Sequence, residues 1–397
     1  MPISSIQILV GILAVMCGVA LRVISLRPKP VKSADAAGKD SDSKNDSAAF
    51  SFPPVQALAP TAPWDTEPLP YRPFKWDDQY KHVMGIRPMT WETWIQLDKH
   101  LPSFLDKKLA RVWERGAKVV CTLPGYEPQA REALSEIALF LSQRYPYMYA
   151  CKHNPVSGLL KSVTMSLPLK TYEWDTADHD AMEIAGYLQQ DDLAVLVEGS
   201  DGQYRLVAGS ICLAGSWRLE DKIGETMANI HLSGDVPSFA DKLQGTMERF
   251  FRALKVNKPV ERNNYQFQLD EKLPWSDASM GDEDTYGHFP RDTRTVDDIS
   301  KIFWRSERQT LRRLPHTRCL LFTIRTYLLP VTDIANELGV PGRLAHAIRT
   351  WPENVIQYKG GHRYKEALLR YLDRCHQSQI NCGVLTDSQR DRSVYPF

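Results

Sequence analysis

The chain has 397 residues, 43% of them hydrophobic and 24% charged, which is ordinary for a globular protein and sufficient for a large core. The formal net charge of +1 gives no electrostatic reason to expect nucleic acid as a partner. The 7 cysteines are scattered without a C-x-x-C pair. This spacing argues against zinc-ribbon and iron–sulfur sites and favours reduced thiols.

The N-terminal segment predicts a membrane anchor. Residues 8–21 are apolar without interruption, but a spanning helix needs roughly 20 residues. If Arg22 reaches the headgroups near one end of the span, residues 6–26 are long enough to cross the membrane. The basic residues all follow this run, so the positive-inside rule places the C-terminal side in the cytosol. We expect a single-pass anchor over residues 1–28, with residues 6–26 in the endoplasmic reticulum membrane and the globular part cytosolic. A cleaved signal peptide is the alternative.

A tether is expected between this anchor and the globular part. Residues 29–73 are rich in Ser, Asp, Lys and Ala and then in Pro, a composition that buries too little apolar surface to fold. We therefore expect a disordered linker over residues 29–73, a globular domain over residues 74–385 and a tail over residues 386–397.

The globular part predicts helices together with antiparallel hairpins. Periodic apolar residues predict helices at 127–145, 239–254, 296–314, 333–338, 343–350 and 363–376. Strands are expected at 193–198 and 204–213, around the turn sequence Ser200-Asp201-Gly202, and at 319–329. Ser238 is the expected N-cap of the helix at 239–254. The pattern is that of an α+β fold rather than of alternating βαβ units.

His231 is the first candidate site residue. It precedes the helix at 239–254 in a connection that contains Gly and Pro. A haem iron requires only one axial histidine, because the porphyrin supplies four nitrogens. No H-x-x-x-H or H-E-x-x-H spacing supports a site with several histidines. A metal or haem ligand, a general base and an ordinary turn histidine all remain possible readings of this residue.

Several arginines form a second candidate group. Arg308 and Arg312 lie in the predicted helix at 296–314, Arg325 lies in the middle of a predicted strand, and Arg262 lies in a separate segment. A buried cation in mid-strand needs an anionic partner, which a haem propionate, a phosphate or a carboxylate substrate would provide. The alternative for the helical arginines is a solvated face with salt bridges.

Acidic pairs give only a weak signal for a metal. Asp191-Asp192 and Asp282-Glu283-Asp284 resemble the pairs that hold a divalent ion in nucleotide-sugar transferases, but the pattern favours a solvated acidic patch over a metal site. The chain has no P-loop, no G-x-S-x-G and no G-x-G-x-x-G after a strand, so nucleotide-hydrolase, hydrolase and Rossmann functions lack support.

Taken together, these segments resemble the haem-dependent oxidative N-demethylase-like family, whose fungal members are also called HRQ-family proteins. The resemblance covers roughly residues 76–371. The motifs that carry it are Met84-Gly85-Ile86-Arg87-Pro88, Asp191-Asp192-Leu193, Ser216-Trp217, Lys222-Ile223-Gly224, Ile230-His231, Val236-Pro237, Arg262 with Asn264, Glu307-Arg308-Gln309-Thr310-Leu311-Arg312-Arg313-Leu314-Pro315 and Phe322-Thr323-Ile324-Arg325-Thr326-Tyr327.

The resemblance implies a PAS-like antiparallel sheet with flanking helices that binds haem b. It implies that His231 is the axial ligand and that arginines, here Arg262, Arg308, Arg312 and Arg325, neutralise the propionates. The characterised bacterial type removes methyl groups from small amines with O2 and electrons from separate reductase components.

Two features depart from the family pattern. The spacing between His231 and Val236-Pro237 is longer than usual, and Tyr265 stands where Trp is usual. The resemblance predicts an O2-dependent haem oxidoreductase, and the two departures leave its substrate undetermined. The alternatives are a non-catalytic haem-binding sensor or carrier and, less well supported, a Golgi-type glycosyltransferase, which would place its body in the lumen.

Overall fold

The computed structural model describes residues 52–69, 71–76, 79–173, 179–285 and 294–385. The predicted anchor over residues 1–28, the first part of the predicted linker and the tail over residues 386–397 lie outside these ranges. Among the described residues, no helix combines the length and the apolar character that crossing a bilayer demands.

The described elements are as follows. The strands are β1 (Arg87–Pro88), β2 (Val120–Thr122), β3 (Tyr149–His153), β4 (Leu160–Ser166), β5 (Leu169–Glu173), β6 (Asp192–Glu198), β7 (Tyr204–Ser210), β8 (Val260–Gln268), β9 (Phe303–Arg313) and β10 (Leu320–Pro330). The α-helices are α1 (Leu101–Arg115), α2 (Glu127–Arg144), α3 (Ala181–Tyr187), α4 (Met227–Ser233), α5 (Gln244–Ala253), α6 (Asp277–Met280), α7 (Val331–Ile334), α8 (Val340–Arg349), α9 (Glu353–Tyr358) and α10 (Lys365–Asn381).

A seven-stranded antiparallel sheet organises the molecule. Its strand order is β1-β8-β9-β10-β6-β7-β2, and a separate three-stranded sheet has the order β3-β4-β5. The hairpin of β9 and β10 lies at the centre and pairs from Phe303 with Pro330 to Arg313 with Leu320. Helices pack beside the large sheet, so the predicted α+β class with an antiparallel sheet and flanking helices is confirmed.

The prediction of a helix at 296–314 is wrong, because most of this segment is strand β9. Glu, Arg, Gln and Leu all have high intrinsic helix propensity, so the segment taken alone favours a helix. In the folded chain the segment lies between β8 and β10, and both neighbours satisfy its backbone hydrogen bonds. Tertiary pairing therefore overrides the local preference.

Other predicted elements agree with the structure, with changes at their ends. The helix at 127–145 is α2, the hairpin is β6 with β7, and the strand at 319–329 is β10. The predicted helix at 239–254 divides into a π-helical turn over Phe239–Leu243 and the helix α5. Ser238 does not cap it: this residue has a left-handed φ of 57° and makes no side-chain capping bond.

Part of the predicted linker packs on the body of the protein. The ring of Phe52 lies 5.0 Å from that of Trp91 and 6.1 Å from that of Phe140. The backbone amide of Leu58 donates a hydrogen bond of 2.8 Å to the carbonyl of Arg144. Packing therefore begins ahead of the predicted domain boundary at residue 74.

Buried arginines occupy one face of the central hairpin. Arg308, Arg312 and Arg325 are each almost fully buried. Each has a carboxylate partner within the protein: Arg308 bonds to Glu261 at 2.5 Å, Arg312 bonds to Glu136 at 2.6 Å, and Arg325 bonds to Asp98. These ion pairs tie β9 and β10 to β8, to α2 and to the segment before α1.

We expect the ion pair of Arg325 and Asp98 to be essential for stability. Removing one partner of a buried pair leaves an uncompensated charge, so Arg325→Met should lower the free energy of unfolding by about 3–5 kcal/mol in urea titrations. The double variant Asp98→Asn/Arg325→Met should recover part of that loss, because neither charge remains. A double variant as unstable as the sum of the two single variants would contradict this account.

Candidate functional site

A cavity of about 470 Å³ lies on the opposite face of the central sheet. Its volume is within the range of roughly 300–1,000 Å³ that is typical of ligand and cofactor pockets. Strands β8, β9, β10 and β6 form its floor, and helices α4 and α5 with residues 358–364 contribute its walls. The segment from Tyr80 to Ile86 lines it from a further side.

His231 lies on α4 and lines this cavity. The helix begins at Met227, and its N-cap is Thr226, whose hydroxyl accepts a hydrogen bond of 3.1 Å from the amide of Asn229. His231 is therefore a helical residue and not the turn residue that the sequence suggests. Its ring stacks on that of Phe239, with centroids 4.6 Å apart and planes inclined by 10°.

One nitrogen of the His231 ring is held by the backbone. Nδ1 lies 2.7 Å from the carbonyl oxygen of Met227. Because a carbonyl only accepts hydrogen bonds, Nδ1 must carry the proton, and Nε2 must carry the lone pair of the neutral ring. Within the described part of the chain, no protein group hydrogen-bonds to Nε2. Metal-binding histidines typically have this arrangement, with the second nitrogen donating to a backbone carbonyl.

The environment keeps His231 neutral. Burial lowers the pKa of this imidazole, the hydrogen bond to Met227 acts in the opposite direction, and the positive charges of Arg262 and Lys222 lower it further. The neutral ring is the form that binds metals.

The cavity floor is polar at one end and apolar at the other. Cross-strand pairing places Arg262 beside Gln309 and Asn264 beside Glu307. The neighbouring row is apolar, with Leu311 paired to Phe322 on the next strand. An amphipathic ligand with anionic groups at one end suits this division.

Two lysines of the cavity wall were not identified from the sequence. Lys222 donates a hydrogen bond of 2.7 Å to the hydroxyl of Ser233, and burial lowers its pKa. Lys359 follows α9, and burial lowers its pKa to about 8. Lys222 belongs to the motif Lys222-Ile223-Gly224, which could have signalled it. Lys359 has only the following Gly360-Gly361 turn as a local signal.

The structure separates the predicted arginines. Arg262 lines the cavity with His231, whereas Arg308, Arg312 and Arg325 do not. The latter three lie on the other face of the sheet, where protein carboxylates already neutralise them. The expectation that a buried Arg325 requires an anionic partner is met by Asp98 rather than by a ligand. These three residues are therefore not assigned to the cavity.

Asp192 and Glu283, one residue from each acidic group, have partners within the protein. Asp192 accepts hydrogen bonds of 3.0 and 2.8 Å from the amides of Cys212 and Leu213, so it is buried rather than part of a solvated patch. Glu283 bonds to Arg111 at 2.6 Å. No group of three or more His, Cys, Asp or Glu residues with the geometry of a metal site exists within the described ranges.

We expect the imidazole of His231 to titrate below the ordinary histidine pKa of about 6.5, because its charged form is desolvated and faces two cations. Nuclear magnetic resonance titration of the ring protons, assigned by comparison with His231→Gln, measures this directly. Above its pKa the ring is neutral, and a ligand at Nε2 should be lost only as the pH falls through that value. A midpoint above 6.5 would contradict the proposed electrostatics.

Comparison with known families identifies the chain at the level of the family. The model described as "HODM_asu-like: Haem-dependent oxidative N-demethylase, alpha subunit-like" matches residues 85–369. This range contains all of β1 to β10 and the lining residue His231, and it covers more than half of the chain. The chain belongs to the haem-dependent oxidative N-demethylase alpha subunit-like family.

Proposed function

We propose that this protein binds haem b in the cavity through Nε2 of His231 and catalyses the O2-dependent oxidation of a small amine, with oxidative N-demethylation as the reaction. The observation that carries the proposal is the geometry of His231. Its Nδ1–H bonds to Met227, its ring stacks on Phe239, and the residue lines the cavity.

The residues that line the cavity fit haem better than they fit a bare metal ion. An ion held by protein alone needs three or four side-chain ligands, and the described residues bring no such group together here. A porphyrin supplies four nitrogens itself and needs one imidazole from the protein. The family description, which names haem, supports the same choice.

The charge of the cavity supports a ligand with carboxylate groups. Arg262 and Lys222 line the cavity together with His231, and the positive charges of both lower the pKa of its imidazole. Haem b carries two propionates, and Arg262 is the residue that we assign to one of them. The apolar row that contains Leu311 and Phe322 would contact the hydrophobic part of the macrocycle.

The protein's own contribution follows from these contacts. The Met227 carbonyl orients the His231 ring and increases the basicity of Nε2, while Phe239 restricts rotation of the ring. Apolar residues that line the cavity, among them Leu196 and Leu206, exclude water. When bound, haem supplies the O2-activating redox chemistry that side chains lack.

Electron supply and location are further parts of the proposal. The sequence contains no flavin or iron–sulfur motif, so we propose that a separate reductase delivers the electrons. We also propose that residues 6–26 anchor the chain in the endoplasmic reticulum membrane, with a PAS-like catalytic body in the cytosol. The apolar run of residues 8–21 supports the anchor.

The first test is spectroscopic. Reconstitution of the purified protein with haem should produce a Soret band, and His231→Ala should abolish it while circular dichroism shows a retained fold. Added imidazole should restore the band in His231→Ala, because the free ligand replaces the missing side chain.

His82→Ala is the matched control, since His82 also lines the cavity. This variant should keep the Soret band of the wild-type protein. An unchanged spectrum in His231→Ala, or its loss in His82→Ala alone, would refute the assignment of the ligand.

The second test is turnover. Reconstituted protein with a chemical reductant and O2 should release formaldehyde from N-methylated amines, and His231→Ala should not. A protein that binds haem through His231 but releases no aldehyde from a broad panel of amines would instead be a haem-binding sensor or carrier.

A further inference from the structure

We propose that Lys359 is a carbonyl-binding lysine, whose amine adds to a small aldehyde in the cavity to form a reversible imine. This site lies beyond the proposed haem chemistry and does not require it. If the proposed demethylation does occur, its aldehyde product arises in the same cavity, where Lys359 is a nucleophile of the wall.

The position of Lys359 is well defined. The hydroxyl of Tyr364 donates a hydrogen bond of 2.8 Å to the Lys359 carbonyl, which fixes the backbone just after α9. The side-chain nitrogen Nζ donates a hydrogen bond to the carbonyl of Tyr265, and Lys359 is one of the residues that line the cavity. It lies 4.7 Å from the ring centroid of Tyr265 and 5.4 Å from that of Trp351.

The surroundings of Nζ are largely apolar and aromatic. In the described part of the chain, no carboxylate lies within ion-pair distance of Nζ. Tyr265 and Trp351 replace water around it, and its hydrogen-bond partner is a neutral carbonyl. Reactive lysines in proteins are activated in this way, by desolvation in a hydrophobic pocket or by a neighbouring cation.

The charged neighbours act in opposite directions. Burial has the largest effect and lowers the pKa of Lys359 to about 8, the carboxylate of Glu307 raises it, and the guanidinium of Arg262 lowers it. A larger fraction of this amine is therefore neutral at pH 7 than of an ordinary lysine, whose pKa is about 10.4.

The chemical step is a condensation. The lone pair of the neutral Lys359 amine attacks the aldehyde carbon and forms a C–N bond, while the carbonyl π bond breaks. In the course of the reaction the nitrogen loses both of its protons, and the former carbonyl oxygen takes them up. Loss of water then gives the imine. The nitrogen lone pair forms the new double bond, no atom is oxidised or reduced overall, and hydrolysis reverses the step.

The test uses the full-length chain without haem, so that it is independent of the proposed function. Protein is incubated at pH 7 with acetaldehyde and sodium cyanoborohydride, which reduces imines to stable ethylamines, and peptides are quantified by mass spectrometry. At pH 7 the neutral fraction of an amine with a pKa of about 8 is on the order of 200 times that of an ordinary lysine, and the lower basicity of such an amine offsets part of that gain. Lys359 should therefore be ethylated at least about tenfold faster than the exposed Lys161. Equal rates at the two lysines in the folded protein would overturn the proposal.

Two variants separate reactivity from structure. Lys359→Arg keeps the cation but forms no such imine, so labelling of that peptide should disappear while the thermal midpoint stays close to the wild-type value. Glu307→Gln removes the carboxylate that raises the pKa of Lys359, so labelling of Lys359 should become faster. A labelling rate that falls or stays constant in Glu307→Gln would contradict the proposed activation.

Discussion

The alternation of side chains along β9 and β10 is the constraint on which the rest of the structure depends. Arg308 and Arg325 lie directly opposite each other across the hairpin, an arrangement that is unfavourable for like charges unless each is neutralised. Glu261 and Asp98 provide that neutralisation on the face away from the cavity. A shift of register by one residue would turn the guanidinium groups into the cavity and separate them from these carboxylates. The ion pairs therefore specify which face of the sheet remains available for a ligand.

The same constraint explains the electrostatics of the cavity. With Arg308 and Arg312 neutralised on one face, the positive charges that lower the pKa of His231 are those of Arg262 and Lys222. Two cations beside a desolvated imidazole keep it neutral, and a neutral imidazole is a better metal ligand than a protonated one. An incoming ligand with carboxylate groups would offset these cations. Binding of a metal by His231 and binding of an anion near Arg262 and Lys222 should therefore favour each other electrostatically, in addition to any direct contact.

Much of the site could be predicted from the sequence where the signals are local or belong to an ordered set of motifs. The resemblance to the family identified His231 and Arg262, which the structure places in one cavity. The error over β9 arose because its residues favour helices when considered alone. The partner of Arg325 could not be predicted, since Asp98 lies 227 residues away in the sequence. Lys359 was missed for the same reason: its burial depends on Tyr265 and on other distant residues that no local pattern reveals.

The register of the sheet sets the position of Glu307, and the charge of Glu307 affects the pKa of Lys359 in the cavity wall. Glu307 pairs with Asn264, one row away from the pairing of Arg262 with Gln309. From there its charge reaches Lys359, but its carboxylate forms no ion pair with that amine in the described structure. A direct ion pair would hold Lys359 in its protonated form, which is not nucleophilic. The register that pairs the arginines with carboxylates on one face therefore also leaves the Lys359 amine without an ion pair to any described residue on the other face. A variant that shifts β9 should change the reactivity of Lys359 and the environment of His231 together.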